Sequence, residues 1–336
     1  MINRKISMKW TFLTINTFLL VVLSISCENP LNILDNKSFY TYPDAYEYPI
    51  FSPDGNSIVF FRNKLTKLQR GNEPSFNTDP DSTGVWIMDR DGQNFRMLYK
   101  SNPFASRISI SSDSKYLYFT DSLSYSLIKY NLETDEAKSI VTSNSPLFSL
   151  QLNWAGNYLV VNMSTRFDGG LTIISSDGLS SWVVRHPDSL RSLGIGGTYM
   201  NWLPDNETII FVLGYDSNNK ALYSINWRGG AKYLHYLSSI DSGSIRSICV
   251  SSDGKLIAFN ENKNLYVAQI GNLNVRTLVS PKYGAQPNFP PTGEELLFVA
   301  PDETPETEGV GVIWIANRDG SDKKQLTYNI GVEVEY

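Results

Sequence analysis

Few side chains in this 336-residue sequence have the chemistry for metal binding or nucleophilic catalysis. It contains two histidines, His186 and His235, and two cysteines, Cys27 and Cys249. A zinc centre takes about four nitrogen or sulfur ligands, so a His-rich metal site cannot be assembled from this set. A Ser–His–Asp triad would need one of the two histidines, and no Gly-x-Ser-x-Gly motif accompanies them. We therefore predict no metal site, no cofactor and no catalytic residue.

Carboxylates are more numerous, but many stand at one repeated position in predicted tight turns. A turn of the type Ser52-Pro53-Asp54-Gly55 recurs along the chain. Aspartate suits such a turn because its side chain accepts a backbone hydrogen bond, and Gly or Asn beside it tolerates positive φ. We interpret the turn carboxylates as caps and not as catalytic acids or bases; they are Asp54, Asp113, Asp205 and Asp253.

Cys27 ends an N-terminal segment that is typical of exported proteins. Three basic residues and no acid precede an apolar stretch that is shorter than the ~20 residues of a membrane-spanning helix. Residues 1–26 are therefore predicted to be a signal peptide. The run Leu23-Ser24-Ile25-Ser26-Cys27 resembles the lipobox of bacterial lipoprotein precursors. That resemblance implies cleavage before Cys27, acylation of this cysteine and, because Glu28 is not an aspartate, delivery to the outer membrane.

An alternative is ordinary signal cleavage, which would leave Cys27 free or bonded in a disulfide. The only other cysteine, Cys249, lies in the apolar run Ile245–Val250. A buried strand position is a poor partner for a thiol near the N-terminus. Several acyl chains would give a membrane attachment that one chain cannot give.

The charge distribution argues against a nucleic acid partner. The formal net charge is −5, and the sequence has no basic stripe and no block of five like charges. Nucleic acid binding requires clustered Lys and Arg to neutralise phosphates. We therefore predict a soluble domain that does not bind DNA or RNA.

A repeated unit of four short apolar segments accounts for most of the chain. In the clearest copy, two segments flank a tight turn within Tyr48–Phe61, and two more follow in Val85–Gly92 and Phe95–Leu98. The landmarks return every ~40 to 60 residues, and four strands per unit at this period are typical of β-propeller blades. Related turns recur at Ser111–Lys115, Trp154–Asn157, Leu203–Asn206, Ser251–Gly254 and Pro290–Gly293.

The best-matching units carry a specific family resemblance. The run Phe51-Ser52-Pro53-Asp54-Gly55, with Trp86–Asp89 downstream, resembles the WD40-like repeat of the TolB-type propeller family, as does Trp314–Gly320. The resemblance covers about residues 44–328 and implies an all-β, six-bladed propeller of four-stranded antiparallel blades. We assign residues 27–43 to a lipidated N-terminus and linker, and residues 44–336 to the propeller. The linker has no room for the family's N-terminal α/β domain, which argues against a TolB role in the Tol–Pal system.

Two segments are candidates for closing the ring. Residues Gly331–Tyr336 alternate apolar and polar side chains, as a strand pairing with the first or last blade would. The other candidate is Ser38–Tyr48, which would join from the N-terminal side. The residues alone do not choose between them.

Two long gaps between predicted strands form the candidate binding face. One runs from 63 to 84 in the first unit, and the other from 301 to 311 in the sixth. Both open on the face that holds the connections between blades, and ring closure makes the two units neighbours. Long loops on a rigid scaffold are where binding function concentrates. The candidate face contains Lys64, Arg70, Phe76, Asp79, Glu306 and Glu308.

These features predict a lipid-anchored, non-enzymatic binding or scaffold module for an envelope protein or a glycan. The alternative is a propeller enzyme, similar to lactonases or polysaccharide lyases, that works in the central channel. That alternative needs a base or metal ligands among the polar residues of the inner strands, which are Arg107, Gln151, Asn153, Asn201 and Arg246.

Overall fold

The computed structural model is an all-β structure. It describes residues 45–69, 75–101, 106–121, 125–144, 147–163, 170–184, 199–214, 220–229, 233–237, 245–280, 284–302, 307 and 309–335. Within these residues the secondary structure consists of strands and turns, without a helix. Accordingly, this part of the chain contains no helix with the length and apolar character needed to span a bilayer.

The described strands form six four-stranded antiparallel sheets, which we number as blades one to six. Blade one contains β1 (Tyr46–Phe51), β2 (Ser57–Arg62), β5 (Gly84–Asp89) and β6 (Arg96–Lys100). Blade two contains β7 (Ser106–Ile110), β8 (Tyr116–Asp121), β9 (Ser126–Asn131) and β10 (Ala137–Thr142). Blade three contains β11 (Leu147–Leu152), β12 (Tyr158–Met163), β13 (Gly170–Ser175) and β14 (Ser181–Val183).

The second half of the chain repeats this order. Blade four contains β15 (Met200–Trp202), β16 (Thr208–Gly214), β17 (Lys220–Asn226) and β18 (Tyr233–Leu237). Blade five contains β19 (Ile245–Val250), β20 (Leu256–Glu261), β21 (Asn264–Gln269) and β22 (Asn272–Ser280). Blade six contains β23 (Ala285–Asn288), β24 (Glu295–Pro301), β25 (Gly311–Asn317) and β26 (Lys324–Gln325).

The first strands of the blades form a closed ring around a central channel. In sequence order, β1, β7, β11, β15, β19 and β23 each contact the next, and β23 contacts β1. Every blade takes its four described strands from one continuous stretch of chain, so the described C-terminal segment does not complete a blade. Of the other closure candidate, Ser38–Tyr48, residues 38–44 lie outside the described residues. The predicted all-β propeller architecture is confirmed.

The hydrophobic core lies between blades and not within any one of them. In β2, Ile58 and Phe60 pack in a cluster shared with blade six, whereas Val59 and Phe61 pack in a cluster shared with blade two. Successive strand residues point to opposite faces, so a middle strand with both faces covered must be apolar throughout. This explains why the repeat has a short continuous apolar run where a half-exposed strand would alternate.

In blades one, two and five, the tight turn between the first and second strands has a Ser-x-Asp pattern. Ser111 Oγ donates to Asp113 Oδ1 at 2.5 Å and accepts from Tyr116 N at 2.9 Å. The Asp113 carboxylate also accepts from Lys115 N at 3.0 Å. The same bonds form around Ser52 and around Ser251. The interpretation of the repeated aspartates as turn caps is confirmed, because each stabilises a folded hairpin.

The sequence predicted a loop in the gap after β2, but this segment contributes two strands to a separate three-stranded sheet. It contains β3 (Leu65–Gln69) and β4 (Ser75–Thr78), which pair antiparallel. The C-terminal strand β27 (Glu333–Glu335) pairs parallel with β3, giving the order β27-β3-β4. We call these three strands the accessory sheet. The C-terminal segment therefore forms a strand, but it pairs with this insertion and not with a blade, because β1 and β26 already complete the blades at the closure.

Candidate functional site

Side chains link the first strands across the wedge-shaped gaps between blades. Phe51 N donates to Asn288 Oδ1 at 2.9 Å, which connects blade one to blade six. Leu152 N donates to Ser109 Oγ at 3.0 Å, which connects blade three to blade two. First strands of neighbouring blades do not pair as a ladder, so their inner backbone groups need other partners. The polar residues of the inner strands supply those partners.

The first strands, which line the channel, contain irregularities in their pairing. The pairing of first and second strands is interrupted by a bulge in β1, β7, β11, β19 and β23. In three of these strands a non-glycine residue has positive φ: Tyr48 at 51°, Ser247 at 53° and Gln286 at 52°. Such a backbone costs on the order of 1 kcal/mol and persists only where the surroundings enforce it. Bulges re-aim side chains, and here they occur in the strands that line the channel.

A cavity of 210 Å³ occupies one mouth of the channel, on the face that holds the first-to-second strand turns. It is formed by the ends of first strands from several blades. The described side chains that line it are uncharged and mostly apolar. The residues that set its character are Ile50, Ile108, Ser109, Gln151, Trp154 and Asn288.

The polar residues predicted for the channel have different roles. Asn153 caps the turn of blade three, where its Oδ1 accepts from Asn157 N and Tyr158 N at 3.0 Å. Gln151 lines the cavity, and its backbone carbonyl accepts a hydrogen bond from Trp202 Nε1 at 3.0 Å. Arg107 and Asn201 are buried in the first strands of blades two and four. The Arg246 side chain lies outside the described part of the structure.

The candidate face on blades one and six is only partly described. Lys64 Nζ donates to Ile330 O at 3.2 Å, which ties the insertion to the C-terminal tail. Phe76 packs against the core cluster that contains Leu65. Asp79 caps a turn, with its carboxylate accepting from Asp81 N at 2.9 Å and Ser82 Oγ at 2.7 Å, and these bonds lower its pKa. Cys27, Arg70, Glu306 and Glu308 lie outside the described residues.

The blade-six gap is anchored by a buried carboxylate. Asp302 is fully buried and accepts from Thr307 Oγ1 at 3.0 Å, Gln325 Nε2 at 3.2 Å and Asn329 N at 3.1 Å. These bonds fasten the gap to the tail that leads into β27. Asp302 is therefore a structural group, and the face of blades one and six is built on a packed base.

The groups considered for nucleophilic or metal chemistry are not assembled into a centre in the described part of the chain. Cys249 is buried in β19, and burial raises the pKa of its thiol to about 11, which keeps it protonated at neutral pH. The backbone of His235 lies in β18, while its side chain and all of His186 fall outside the description. No three His, Cys, Asp or Glu side chains of the described residues group together as metal ligands would.

Two surface features were not predicted from the sequence. One is the channel-mouth cavity. Its signal in the sequence is Trp154, an aromatic residue at a turn position where blades one, two and five have Pro53, Ser112 and Ser252. The other is a cluster on the outer side of blades three and four, where Trp182 lies 5.6 Å from Tyr158 and 5.8 Å from Trp227 between ring centroids. Their spacing in the chain gave no sign that these three rings would meet.

Comparisons with known proteins identify the fold. No protein-family model matches the sequence, and no curated protein matches it. Among solved structures, TolB from Acinetobacter baumannii superposes with a TM-score of 0.60 at 14% identity, covering 80% of this chain and 62% of that one. A chain described as TolB from Agrobacterium tumefaciens gives 0.57 at 15% identity, covering 70% of this chain and 84% of that one. A chain of a nidogen/laminin complex gives 0.59 at 9% identity, covering 82% and 95%. The chain therefore has a TolB-like β-propeller fold.

Proposed function

We propose that this protein is a lipid-anchored propeller of the bacterial envelope that binds a protein partner, without catalysis, through the face of blades one and six. The observation that carries the proposal is the accessory sheet. The insertion in blade one is folded into strands, tied to the C-terminal tail and packed on the core through Leu65 and Leu68. A structured projection on a closed ring presents a fixed surface to a partner, which a flexible loop does not.

The edge of the accessory sheet favours a polypeptide over a glycan. In the order β27-β3-β4, strand β4 pairs with β3, and no described strand pairs with its other edge. Exposed strand edges pair with segments of other chains, which gain main-chain hydrogen bonds. The exposed side chains of β4 are Ser75 and Asn77, which are small and uncharged and leave the edge accessible.

The anchor is proposed to be Cys27, acylated after removal of residues 1–26, in the outer membrane. Replacing Cys27 with Ser should move the protein from the membrane fraction to the soluble envelope fraction and abolish incorporation of labelled palmitate. A variant that remains membrane-bound and labelled would rule out this anchor. Ser24→Ala, which changes the lipobox-like run but keeps the cysteine, is the control and should stay membrane-bound.

The partner-binding face can be tested by crosslinking and mass spectrometry in native membranes. Deleting the insertion would remove Leu65 and Leu68 and uncover the core cluster in which they pack. The test variant is therefore the double exchange Ser75→Asp and Asn77→Asp on the exposed face of β4. Its control carries Ala137→Asp and Ser139→Asp on the exposed outer strand of blade two. We expect a protein partner of the wild type to be lost in the β4 variant and kept in the control. Identical crosslinks in both variants, or recovery of glycan alone, would refute the proposal.

A further inference from the structure

A buried arginine crosses the central channel. Arg107 lies in the bulge of β7 in blade two and is 9% exposed. Its Nη1 donates to Met200 O at 3.1 Å, and its guanidinium carbon lies 5.5 Å from the centroid of the Tyr199 ring. Both partners belong to blade four, which is not adjacent to blade two in the ring. The guanidinium therefore lies within the channel and not between neighbouring blades.

The positive charge of Arg107 has no anionic partner among the described residues. The ionisable groups near enough to influence it are Tyr48, Tyr199 and Cys249. Two of them are tyrosine side chains and the third is the Cys249 thiol, whose pKa burial raises to about 11, so none of them is a carboxylate. Loss of solvent lowers the pKa of Arg107 from its usual value, but a guanidinium stays protonated in proteins. Buried charges are normally paired, because an unpaired one keeps its full desolvation cost.

Most of the hydrogen-bonding capacity of Arg107 is also without a partner among the described residues. A guanidinium has five N–H donors in a planar fork, and the described structure provides one acceptor, Met200 O. None of the Arg107 nitrogens belongs to the polar atoms that are both sealed from solvent and unpartnered. The unused donors therefore keep access to the channel space. A planar fork of this kind matches the two oxygens of a carboxylate.

The wall of the mouth cavity begins one residue further along β7 and does not include Arg107 itself. Ile108 and Ser109, the two residues after Arg107 in β7, line its wall. Its volume of 210 Å³ is about that of seven water molecules in the liquid, which is enough for a small organic group. The wall is uncharged and largely apolar, with Ile50, Phe51, Ile108 and Phe289 among its residues.

We infer that the central channel is a binding site for a carboxylate with a short apolar body, held by the Arg107 fork with the apolar part in the mouth cavity. The carboxylate could be the C-terminus of a peptide or belong to a small organic acid, since both present the same two oxygens. This site lies in the channel and does not involve the β4 edge. It can thus succeed or fail independently of the proposed partner-binding face.

The test compares acids with their neutral amides on the full-length protein. Thermal unfolding and isothermal titration calorimetry are performed with benzoate and N-acetylphenylalanine, and with benzamide and N-acetylphenylalaninamide. We expect at least one acid to bind and raise the unfolding midpoint, and both amides to bind at least about tenfold more weakly, because only a carboxylate completes a charge-assisted pair with Arg107. If only N-acetylphenylalanine binds, the ligand is a peptide C-terminus. If benzoate binds equally well, the ligand is a small organic acid. Acids and amides that bind equally, or acids that do not bind, would overturn the inference.

Substitutions of Arg107 test whether this residue binds the acid. Arg107→Met should abolish the acid-dependent rise in midpoint, while the midpoint without ligand stays the same or increases, because an unpaired buried charge is removed. Arg107→Lys keeps the charge but loses the fork, and should bind the acid at least about tenfold more weakly. Arg228→Met removes an exposed arginine on the outer side of blade four and should bind as the wild type does. If Arg107→Met fails to fold, the lysine variant and the acid–amide comparison on the wild type still test whether Arg107 binds the carboxylate. Unchanged acid binding in a folded Arg107→Met protein would overturn the assignment.

Discussion

At the scale of single residues, the serine of the Ser-x-Asp turn has two roles in one hydroxyl. Ser111 Oγ donates to the Asp113 carboxylate and accepts the amide of Tyr116, the first residue of the next strand. The hydroxyl thus connects the carboxylate to the strand that must follow the turn. Because the same bonds recur around Ser52 and Ser251, the hairpin geometry of these three blades is encoded locally.

Removing this hydroxyl should destabilise the protein. Ser111→Ala leaves Tyr116 N and the Asp113 carboxylate each without one partner, and we expect a loss of about 1–2 kcal/mol in the free energy of unfolding. Ser112→Ala is the matched control, because Ser112 is adjacent and exposed. Its effect should stay within about 0.5 kcal/mol. Urea denaturation of both variants measures the difference, and equal effects would refute this role of Ser111.

The same turn predicts how stability depends on pH. The Ser111 hydroxyl and the Lys115 amide hold the pKa of Asp113 below its usual 3.8, so the folded state binds this proton less tightly than the unfolded chain. The stabilisation is present above the unfolded pKa and is lost as pH falls through the folded value. In Ser111→Ala, the Asp113 pKa should rise toward 3.8, as an NMR titration of its carboxyl carbon would show. An unchanged pKa would mean that the hydroxyl bond does not set it.

At the scale of elements, the accessory sheet combines buried leucines with an exposed ion pair. Leu65 and Leu68 of β3 are buried in the cluster shared by blades five, six and one. Lys67 Nζ lies 2.5 Å from Glu335 Oε1 across the pairing of β3 and β27, with both side chains partly exposed. Apolar burial contributes far more to stability than an exposed ion pair does. The sheet is therefore held mainly by its leucines.

Two neighbouring substitutions separate these contributions. Leu68→Ala opens a cavity under the sheet and should lower the free energy of unfolding by about 2–5 kcal/mol. Lys67→Ala breaks the pair with Glu335 and should change it little, since water and salt screen exposed charges. Chemical denaturation at low and high salt checks both. A Lys67→Ala effect as large as that of Leu68→Ala would show that the strand pairing depends on the ion pair.

The accessory sheet also shows why sequence patterns predicted the blades but missed this element. Blade turns are formed by residues a few positions apart, so their chemistry is visible in a short window. Strand β3 has apolar residues at Leu65 and Leu68, a spacing of three that is not typical of a strand, and its partner β27 lies at the other end of the chain. Arg107 and Met200 are likewise brought together only by ring closure. Such contacts depend on the tertiary fold, and local periodicity does not encode them.

At the scale of the whole molecule, the contact between blades six and one uses the same kind of bond as the contact between blades two and three but joins residues much further apart in the chain. The bond from Phe51 N to Asn288 Oδ1 joins residues 237 positions apart, whereas that from Leu152 N to Ser109 Oγ joins residues 43 apart. In a closed ring, both bonds have the same role, because each gives a backbone N–H an acceptor in a gap between first strands. A continuous core cluster spanning blades five, six and one supports this equivalence.

Closure of the ring can be tested by removing the acceptor of each of these two bonds in turn. Asn288→Ala and Ser109→Ala each leave one inner amide without its acceptor, and each should cost about 1–3 kcal/mol. If the ring is closed in solution, Asn288→Ala should also reduce hydrogen-exchange protection in β1 as well as in β23, because the weakened junction joins both ends of the chain. The control, Ser109→Ala, should reduce protection mainly in β7 and β11. A near-neutral Asn288→Ala beside a destabilising Ser109→Ala would mean that the first and last blades only abut, and the channel that Arg107 crosses would then be an open groove.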